Sequence, residues 1–374
     1  MNNVPMITEQ SDLSALAARL QQHERVAVDL EADSMHHYTD KVCLLQFSSP
    51  EETCLVDPLA LPDLEPLRSL FENPTIEKLF HAGDYDLRSL RRDFNLQVRG
   101  LVDTMLAAQF CGEARIGLAD LLNKYFSVEL DKKFQRADWS IRPLPDGMVH
   151  YAAEDTRHLH RLAELLRDRL ANLGRMSWLE EECALLEEVS FDQGSGPMFL
   201  RFKGAGRLGR RQLAILEELL RWRDREAQRR DVPPFKIFGN KHLLEVVQVA
   251  PATKRALFAV PGVPSKLVQR YTAQLLDCVA KGEGVPEGEL PVFPRGERRR
   301  KDPEEAVRME RLKRWRVKKA EELQLDPGVM VNNALLEAVA RCVPRTREDL
   351  EEIHFMRDWQ RREFGDDLIS VANG

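Results

Sequence analysis

The first half of the chain alternates between two spacings of apolar residues. Residues 25–31, 42–48 and 53–56 form three short apolar-rich segments separated by turn residues, which predicts an antiparallel meander of β-strands. Helical and strand patterns then interleave, with predicted helices at 64–71 and 86–94 and strands at 76–81 and 100–103. From Thr104 the pattern is helical, including a long segment over 146–173. We therefore predict an α/β domain over residues 1–190, with a mixed sheet flanked by helices.

The second half is almost wholly helical and contains an internal repeat. Gly-rich or Pro-rich breaks at 192–209 and 281–303 divide it. At a constant offset of 93, six residues recur in fixed register: Trp222 and Trp315, Ala227 and Ala320, Asn240 and Asn333, Leu243 and Leu336, Pro251 and Pro344, Leu257 and Leu350. The repeat predicts two small all-α modules, at 207–283 and 304–374, joined by a linker over 284–303.

Composition is that of a globular protein, with 43% hydrophobic and 31% charged residues among 374. No apolar run reaches the roughly 18 residues of a membrane span, and the first residues lack the pattern of a signal peptide. We therefore expect no membrane partner and a cytoplasmic location, and we expect a monomer.

The net charge of −6 is unevenly distributed. Residues 201–230 carry a net +6 and residues 295–319 a net +7, which leaves −19 for the rest. Two basic segments on an acidic chain indicate either a phosphate-binding surface or solvated helix faces and a linker.

Three acidic motifs carry the candidate chemistry. Asp29 and Glu31 are two apart on a predicted strand, so both carboxylates lie on one face, as a pair of divalent-metal ligands would. Asp86 follows a predicted strand, where it is either a ligand or a helix cap; Asp84 is the better cap and leaves Asp86 available. Tyr151 and Asp155 are one helical turn apart. Taken singly, each motif is also compatible with a surface acid, a cap or a packed tyrosine.

Together, in this order, the motifs resemble the DEDD exonuclease superfamily over residues 5–185. The stretches VDLEAD, FHAGDYDLRSLRRDF, LVDT, ADWSIRPLP and YAAEDTRHL are similar to the ribonuclease D family, and the repeated modules resemble HRDC domains. The resemblance implies a ribonuclease H-like α/β fold. His150 precedes Tyr151, but only the tyrosine is one turn from Asp155, so we expect the tyrosine branch of the superfamily. Asp103, in the LVDT stretch, has no ligand role in the family pattern and is expected to cap a helix.

The resemblance also implies a mechanism. Asp29, Glu31, Asp86 and Asp155 would hold two divalent ions, Mg²⁺ or Mn²⁺, with Asp29 between them. Tyr151 would orient the attacking water. The chain would remove nucleoside 5′-monophosphates from RNA with a free 3′ end, tRNA precursors being the family's substrate class.

Five further residues are candidate RNA contacts. Lys132, Trp139 and Arg142 lie in the loop before the Tyr151 helix, where they could guide and stack the RNA end. Gly262 and Lys266 belong to a tight turn opening a helix in the first module, which could offer N–H groups to a phosphate. Gly204-x-Gly206-x-x-Gly209 matches a dinucleotide fingerprint in letters only, because no strand precedes it, so we expect no nucleotide cofactor.

Two alternatives to an exoribonuclease stay open. A 3′–5′ DNA exonuclease would use the same carboxylates, and only contacts to the 2′-hydroxyl separate the two substrates. A catalytically silent RNA-binding scaffold is disfavoured because all four carboxylates and the tyrosine are present.

Overall fold

A computed structural model describes residues 4–191, 194, 196–294 and 302–374. Residues 295–301, which belong to the predicted linker and to the second basic segment, lie outside the described residues. The first elements of the α/β domain are β1 (Met6–Ile7), α1 (Gln10–Leu20), β2 (Arg25–Ala32), β3 (Val42–Ser48), β4 (Thr53–Val56), α2 (Arg68–Phe71), β5 (Glu77–Phe80), α3 (Asp84–Phe94) and β6 (Leu101–Asp103).

The six strands form one mixed sheet in the order β1-β4-β3-β2-β5-β6. The antiparallel meander β2-β3-β4 is confirmed, and β5 and β6 extend the sheet in parallel beside β2. Helices over both faces account for the apolar content of the strands; all seven residues of β3 are buried. This arrangement confirms the predicted mixed sheet flanked by helices. The sequence pattern missed β1, because a two-residue strand has no periodicity to detect, and it also missed α1, although Leu13, Leu16 and Leu20 of that helix are buried at helical spacing.

Five helices complete the domain. They are α4 (Thr104–Phe110), α5 (Leu118–Phe126), α6 (Asp146–Arg157), α7 (Leu159–Leu173) and α8 (Met176–Glu187). The long helical segment predicted over 146–173 is thus two helices, with His158 (φ −102°, ψ −3°) as the last cap of one and the first cap of the other. Helix α6 packs across β2, β3 and β4, where Thr156 bonds the buried Ser48 hydroxyl at 2.8 Å. That packing brings α6 over the strand that carries Asp29.

The two helical modules repeat the same order of elements. The first contains α9 (Arg210–Arg230), α10 (Pro234–Ile237), α11 (Asn240–Val249), α12 (Lys254–Phe258) and α13 (Ser265–Glu283). The second contains α14 (Pro303–Leu323), α15 (Pro327–Met330), α16 (Asn333–Cys342), a 3₁₀ turn (Glu348–Glu352) and α17 (Asp358–Asn373). Corresponding helices begin 93 residues apart at four positions, which confirms the duplication.

The chain divides into two compact units. Unit 1 comprises Met1–Ala32, Val42–Phe191 and Arg300–Gly374, and unit 2 comprises Asp33–Lys41 and Asp192–Arg299. Residues 304–374, expected from the sequence as a separate domain, therefore belong to the same compact unit as the α/β domain. Unit 2 has its own core, in which Trp222 packs edge-on against Tyr271 at 5.1 Å between ring centroids.

An aromatic cluster joins the second module to the α/β domain within unit 1. Trp178 of α8 stacks on Trp359 of α17 at 4.5 Å, and Phe110 packs edge-on against both indoles. Glu182 accepts hydrogen bonds from Trp359 Nε1 at 3.1 Å and from Arg357 at 2.9 Å. The second module is therefore held by stacked, buried rings and by charged hydrogen bonds.

Among the described residues, no helix is both long enough and apolar enough to cross a membrane.

Candidate active site

Strand β2 supplies the first two carboxylates. Asp29 and Glu31 are separated by the buried Leu30, so they share one face of the sheet. β2 lies between β3 and β5, in the middle of the sheet. At Asp29 and Glu31 the strand is paired with β3, and its pairing with β5 covers Arg25–Ala27 just before them, so the backbone that carries both carboxylates is held in the sheet.

The third carboxylate follows β5. Asp86 is buried in the first turn of α3. The turn before it is tied down by Asp103, whose carboxylate accepts hydrogen bonds from the backbone N–H groups of Gly83 and Ala82 at 2.8 and 3.1 Å. The same carboxylate accepts from Met105 N at 2.8 Å and caps α4, as expected for Asp103. Asp103 thus fixes the turn that places Asp86.

The prediction that Asp84 caps the following helix is wrong. Asp84 is itself the first residue of α3, and its carboxylate is bound by Arg88 one turn along the helix, at 2.9 Å to each oxygen. The turn has no room for an N-cap side chain, because Gly83 occupies the cap position and a Cβ there would lie 3.0 Å from that of Phe80.

Helix α6 supplies Tyr151 and Asp155. The Tyr151 ring packs edge-on against Phe134 and at a tilt against Trp139, both at 6.0 Å between centroids. His150 is exposed and does not line the cleft, so Tyr151 is the residue that faces it, as the helical spacing predicts.

One cleft brings these motifs together. It has a volume of about 390 Å³, and its walls include Asp29, Glu31, Tyr151 and Asp155. Asp86 does not line the cleft, but its carboxylate is near enough to Asp29 and Glu31 to act on their charges. Three acids from two distant parts of the sequence therefore line one opening, and a fourth from a third part lies close enough to act on their charges.

Burial and mutual repulsion make these carboxyls hard to ionise. Burial first, and then the charges of Asp29, Asp155 and Asp86, raise the pKa of Glu31 to about 10. Burial also raises the pKa values of Asp29, Asp86 and Asp155, and the charge of Asp29 adds to the effect on the latter two. No lysine or arginine is among the groups that shift these four pKa values in the described chain. The cluster lacks positive charge of its own.

The donor set fits hard divalent cations. Carboxylate oxygens are the ligands that Mg²⁺ and Mn²⁺ prefer, and a cation between them would relieve the repulsion. Over residues 4–191, 194, 196–294 and 302–374, however, no three His, Cys, Asp or Glu side chains are arranged as a ready-made metal site. Closure of the four acids around a cation would therefore require side-chain adjustment.

The loop residues predicted to contact RNA have different environments. Lys132 is exposed and lines the cleft. Trp139 is 1% exposed in a small core with Met148 and Ala152. The prediction that Trp139 stacks on RNA is therefore wrong, and its ring supports Tyr151 instead.

The prediction that Arg142 guides RNA is also not supported by its contacts. Its guanidinium pairs with the buried Asp57 at 2.7 Å and donates to the Cys43 carbonyl at 2.7 Å and the Trp139 carbonyl at 2.9 Å. These bonds anchor the loop to the sheet. A polar loop sequence does not distinguish such an anchor from a ligand contact.

In unit 2, the predicted turn before α13 is present. Gly262 has a φ of +73°, which favours glycine, and it is exposed together with Lys266 in the first turn of the helix. Gly204 is the first glycine of the stretch that resembles a dinucleotide-binding fingerprint. It lies between two short 3₁₀ turns before α9, so no strand leads into it.

Two residues near the acids were not singled out by the sequence patterns. Gln46 lies directly opposite Asp29 in the β2-β3 ladder, and its buried amide has no protein partner among the described residues. His81 lines the cleft, with Nδ1 at 2.9 Å from the Thr104 hydroxyl. Since that hydroxyl donates to the Phe80 carbonyl, His81 donates through Nδ1. The available signal was the position of His81 within FHAGDYD, five residues before Asp86.

Comparison with known proteins shows which families share this fold and these motifs. Residues 4–171 match the 3′–5′ exonuclease family model, and residues 212–279 and 305–371 each match the HRDC domain model. Ribonuclease D of Granulibacter bethesdensis is 30% identical over 99% of this chain and 92% of its own. The crystal structure of Escherichia coli RNase D, described as an exoribonuclease involved in structured RNA processing, matches with a TM-score of 0.74 and 25% identity. It covers 99% of this chain and 98% of its own. The catalytic core of RRP6 from Trypanosoma brucei matches with a TM-score of 0.63 and 28% identity, over 75% of this chain and 80% of its own.

Fold and sequence similarity together define a 3′–5′ exonuclease with a ribonuclease H-like sheet. The chain belongs to the ribonuclease D family, and it is a hydrolytic exoribonuclease. Members of the wider exonuclease family depend on divalent metal ions.

Proposed function

We propose that the chain hydrolyses RNA from its 3′ end at the cleft around Asp29, with two divalent ions, Mg²⁺ or Mn²⁺. The observation that carries the proposal is that Asp29, Glu31 and Asp155 line one cleft with Asp86 close behind them, and that no lysine or arginine is among the groups that shift their pKa values in the described chain. Asp29 would hold both ions, Glu31 and Asp155 would complete the site of the first, and Asp86 would hold the second. When bound, the ions supply activation of water and neutralisation of the phosphate and of the leaving 3′ oxygen.

Tyr151 has a distinct task. Burial first, and then the charge of Asp155, raises the pKa of its phenol well above its usual value. The phenol therefore stays protonated at neutral pH and cannot act as a base. It donates or accepts a hydrogen bond and so orients the attacking water, while Trp139 and Phe134 hold its ring.

We further propose that the substrates are structured RNAs with free 3′ ends, tRNA precursors among them, and that the products are nucleoside 5′-monophosphates. Lys132 at the cleft and the exposed turn of Gly262 and Lys266 in the first HRDC module contact the RNA backbone. We expect the active form to be a monomer.

The test is incubation of the protein with RNA and DNA strands of matched sequence, labelled at the 5′ end, with Mg²⁺, Mn²⁺ or chelator. We expect a ladder of RNA products shortened from the 3′ end, dependent on the metal and slower or absent on DNA. The Asp155→Asn variant should bind RNA without shortening it. Shortening of RNA in chelator, or by Asp155→Asn at the wild-type rate, would refute the metal assignment, and a preference for DNA would establish the DNA exonuclease alternative.

A further inference from the structure

A second pocket opens beside the catalytic cleft, and both are lined by Ala82 and Met105. This side pocket has a volume of about 310 Å³, at the lower end of the range for sites that bind small organic rings. Its apolar wall is formed by five side chains of α4, α8 and the segment that follows α8: Met105, Leu106, Leu185, Leu186 and Val189. All of its lining residues belong to unit 1.

The charged groups of the side pocket all have partners. Asp84 is bound by Arg88, Glu182 is bound by Arg357 at 2.9 Å, and the Asp103 carboxylate accepts backbone N–H groups. Since the one cationic lining residue, Arg357, is paired and the other charged lining residues are acids, the pocket does not favour a phosphate. Apolar walls with a guanidinium at the edge suit a flat, neutral ring, because unstacked nucleobases pack on apolar surfaces and on arginine planes.

The position of the side pocket indicates which part of the RNA it faces. It shares Ala82 with the catalytic cleft, and Ala82 belongs to the turn that Asp103 ties down and that places Asp86. In the proposed mechanism Glu31 and Asp155 would hold the ion that activates the water, so the ion held by Asp86 would serve the leaving 3′ oxygen, which belongs to the strand that remains after cleavage. A base of that retained strand is thus the part of the substrate brought to the pocket.

We propose that the side pocket is a nucleobase subsite for one of the nucleotides just upstream of the scissile bond. The inference rests on the proposed function and deepens it. It also gives the second HRDC module a part in substrate binding. Arg357, which lines the pocket, belongs to that module and immediately precedes α17. The second module lacks the glycine turn of the first, so its contribution to RNA binding would be made here, beside the catalytic cleft.

The experiment uses a set of RNA strands that each carry one abasic nucleotide, at each of the last six positions in turn. Affinity is measured by fluorescence anisotropy in chelator, and the hydrolysis rate at subsaturating RNA is measured separately with Mn²⁺. For the full-length wild-type protein, we expect one abasic position close to the 3′ end to lower affinity about fivefold to tenfold more than its neighbours, as loss of one packed base does.

Two variants of the exposed Leu185 test whether the loss of affinity at that abasic position arises in the side pocket. Leu185→Ala removes part of the wall and Leu185→Trp fills the pocket; Leu185 is 42% exposed, so neither change disturbs the core. Both should abolish the position-specific penalty, whereas Leu173→Ala, at a leucine 46% exposed on α7, should leave it unchanged. A penalty equal at all positions, or one that persists in both Leu185 variants, overturns the subsite. Failure of the wild type to hydrolyse any RNA would instead overturn the proposed function, and the anisotropy profile would still decide on the pocket.

Discussion

Replacing Asp29 with asparagine should have opposite effects on two properties: it should increase folding stability and abolish RNA hydrolysis. Asp29 is only partly accessible at the cleft, and burial raises its pKa from 3.8 to about 7. The folded state therefore binds a proton more tightly than the unfolded state. Stability that is present below pH 4 is lost as the pH rises toward 7, since the carboxyl must then ionise in a buried position.

The size of the effect follows from the two pKa values. At about 1.4 kcal/mol for each pH unit between 3.8 and about 7, the charged form costs at most about 4 kcal/mol. Screening through the open cleft reduces this to about 2 kcal/mol. At about 2.1 cal/mol/K of unfolding entropy per residue, we expect Asp29→Asn to raise the midpoint of thermal unfolding by about 2–4 °C at pH 8 in chelator, and by about half as much at pH 5.5.

The assay is thermal unfolding of the full chain at both pH values, with chelator or with saturating Mg²⁺ or Mn²⁺. Metal should stabilise the wild type more at pH 8 than at pH 5.5 and should have little effect on Asp29→Asn, which should also lose hydrolysis. Asp168→Asn, a change at an exposed acid of α7, is the control and should alter neither property. If Asp29→Asn unfolds at or below the wild-type temperature in chelator at pH 8, the argument from buried like charges is wrong.

Three further predictions concern single side chains. Tyr151→Phe should lower the hydrolysis rate by about tenfold to a hundredfold with RNA affinity unchanged, because only the water-orienting hydroxyl is lost; an equal loss of affinity would contradict this role. Trp359→Ala should destabilise unit 1 by about 3–5 kcal/mol through loss of the buried stacked ring, measured by denaturant unfolding, whereas Val317→Ala, at a side chain 48% exposed, should be nearly neutral. Lys132→Ala should weaken RNA binding and reduce the slope of log affinity against log salt by about 1, and an unchanged slope would remove Lys132 from the phosphate contacts.

Local patterns in the sequence were sufficient to predict the strands and the helix face that carry most of the site. Alternation predicted β2, β3 and β4, and the spacing of Tyr151 from Asp155 predicted which residue of α6 faces the cleft. The constant offset of 93 predicted the duplicated helices, since a repeat is visible without any tertiary information.

Long-range packing could not be predicted in the same way. Trp139 lies in a polar loop, and nothing in its neighbours indicates that it is buried under Tyr151. The stack of Trp178 on Trp359 joins residues 181 positions apart, so no periodicity reveals it. Asp103 was correctly predicted as a cap, but its hydrogen bonds to the turn before α3 depend on the register of β5 beside β6.

Unit 1 is discontinuous along the chain, and this has a consequence for biosynthesis. The ribosome makes the α/β domain first, then residues 192–299 of unit 2 and then most of the second module before it reaches Trp359, the partner of Trp178. Until then the nascent enzyme presents an uncovered indole to chaperones and proteases. A prematurely terminated polypeptide would keep that exposed patch, so quality control could recognise and remove an incomplete nuclease before it degrades cellular transcripts.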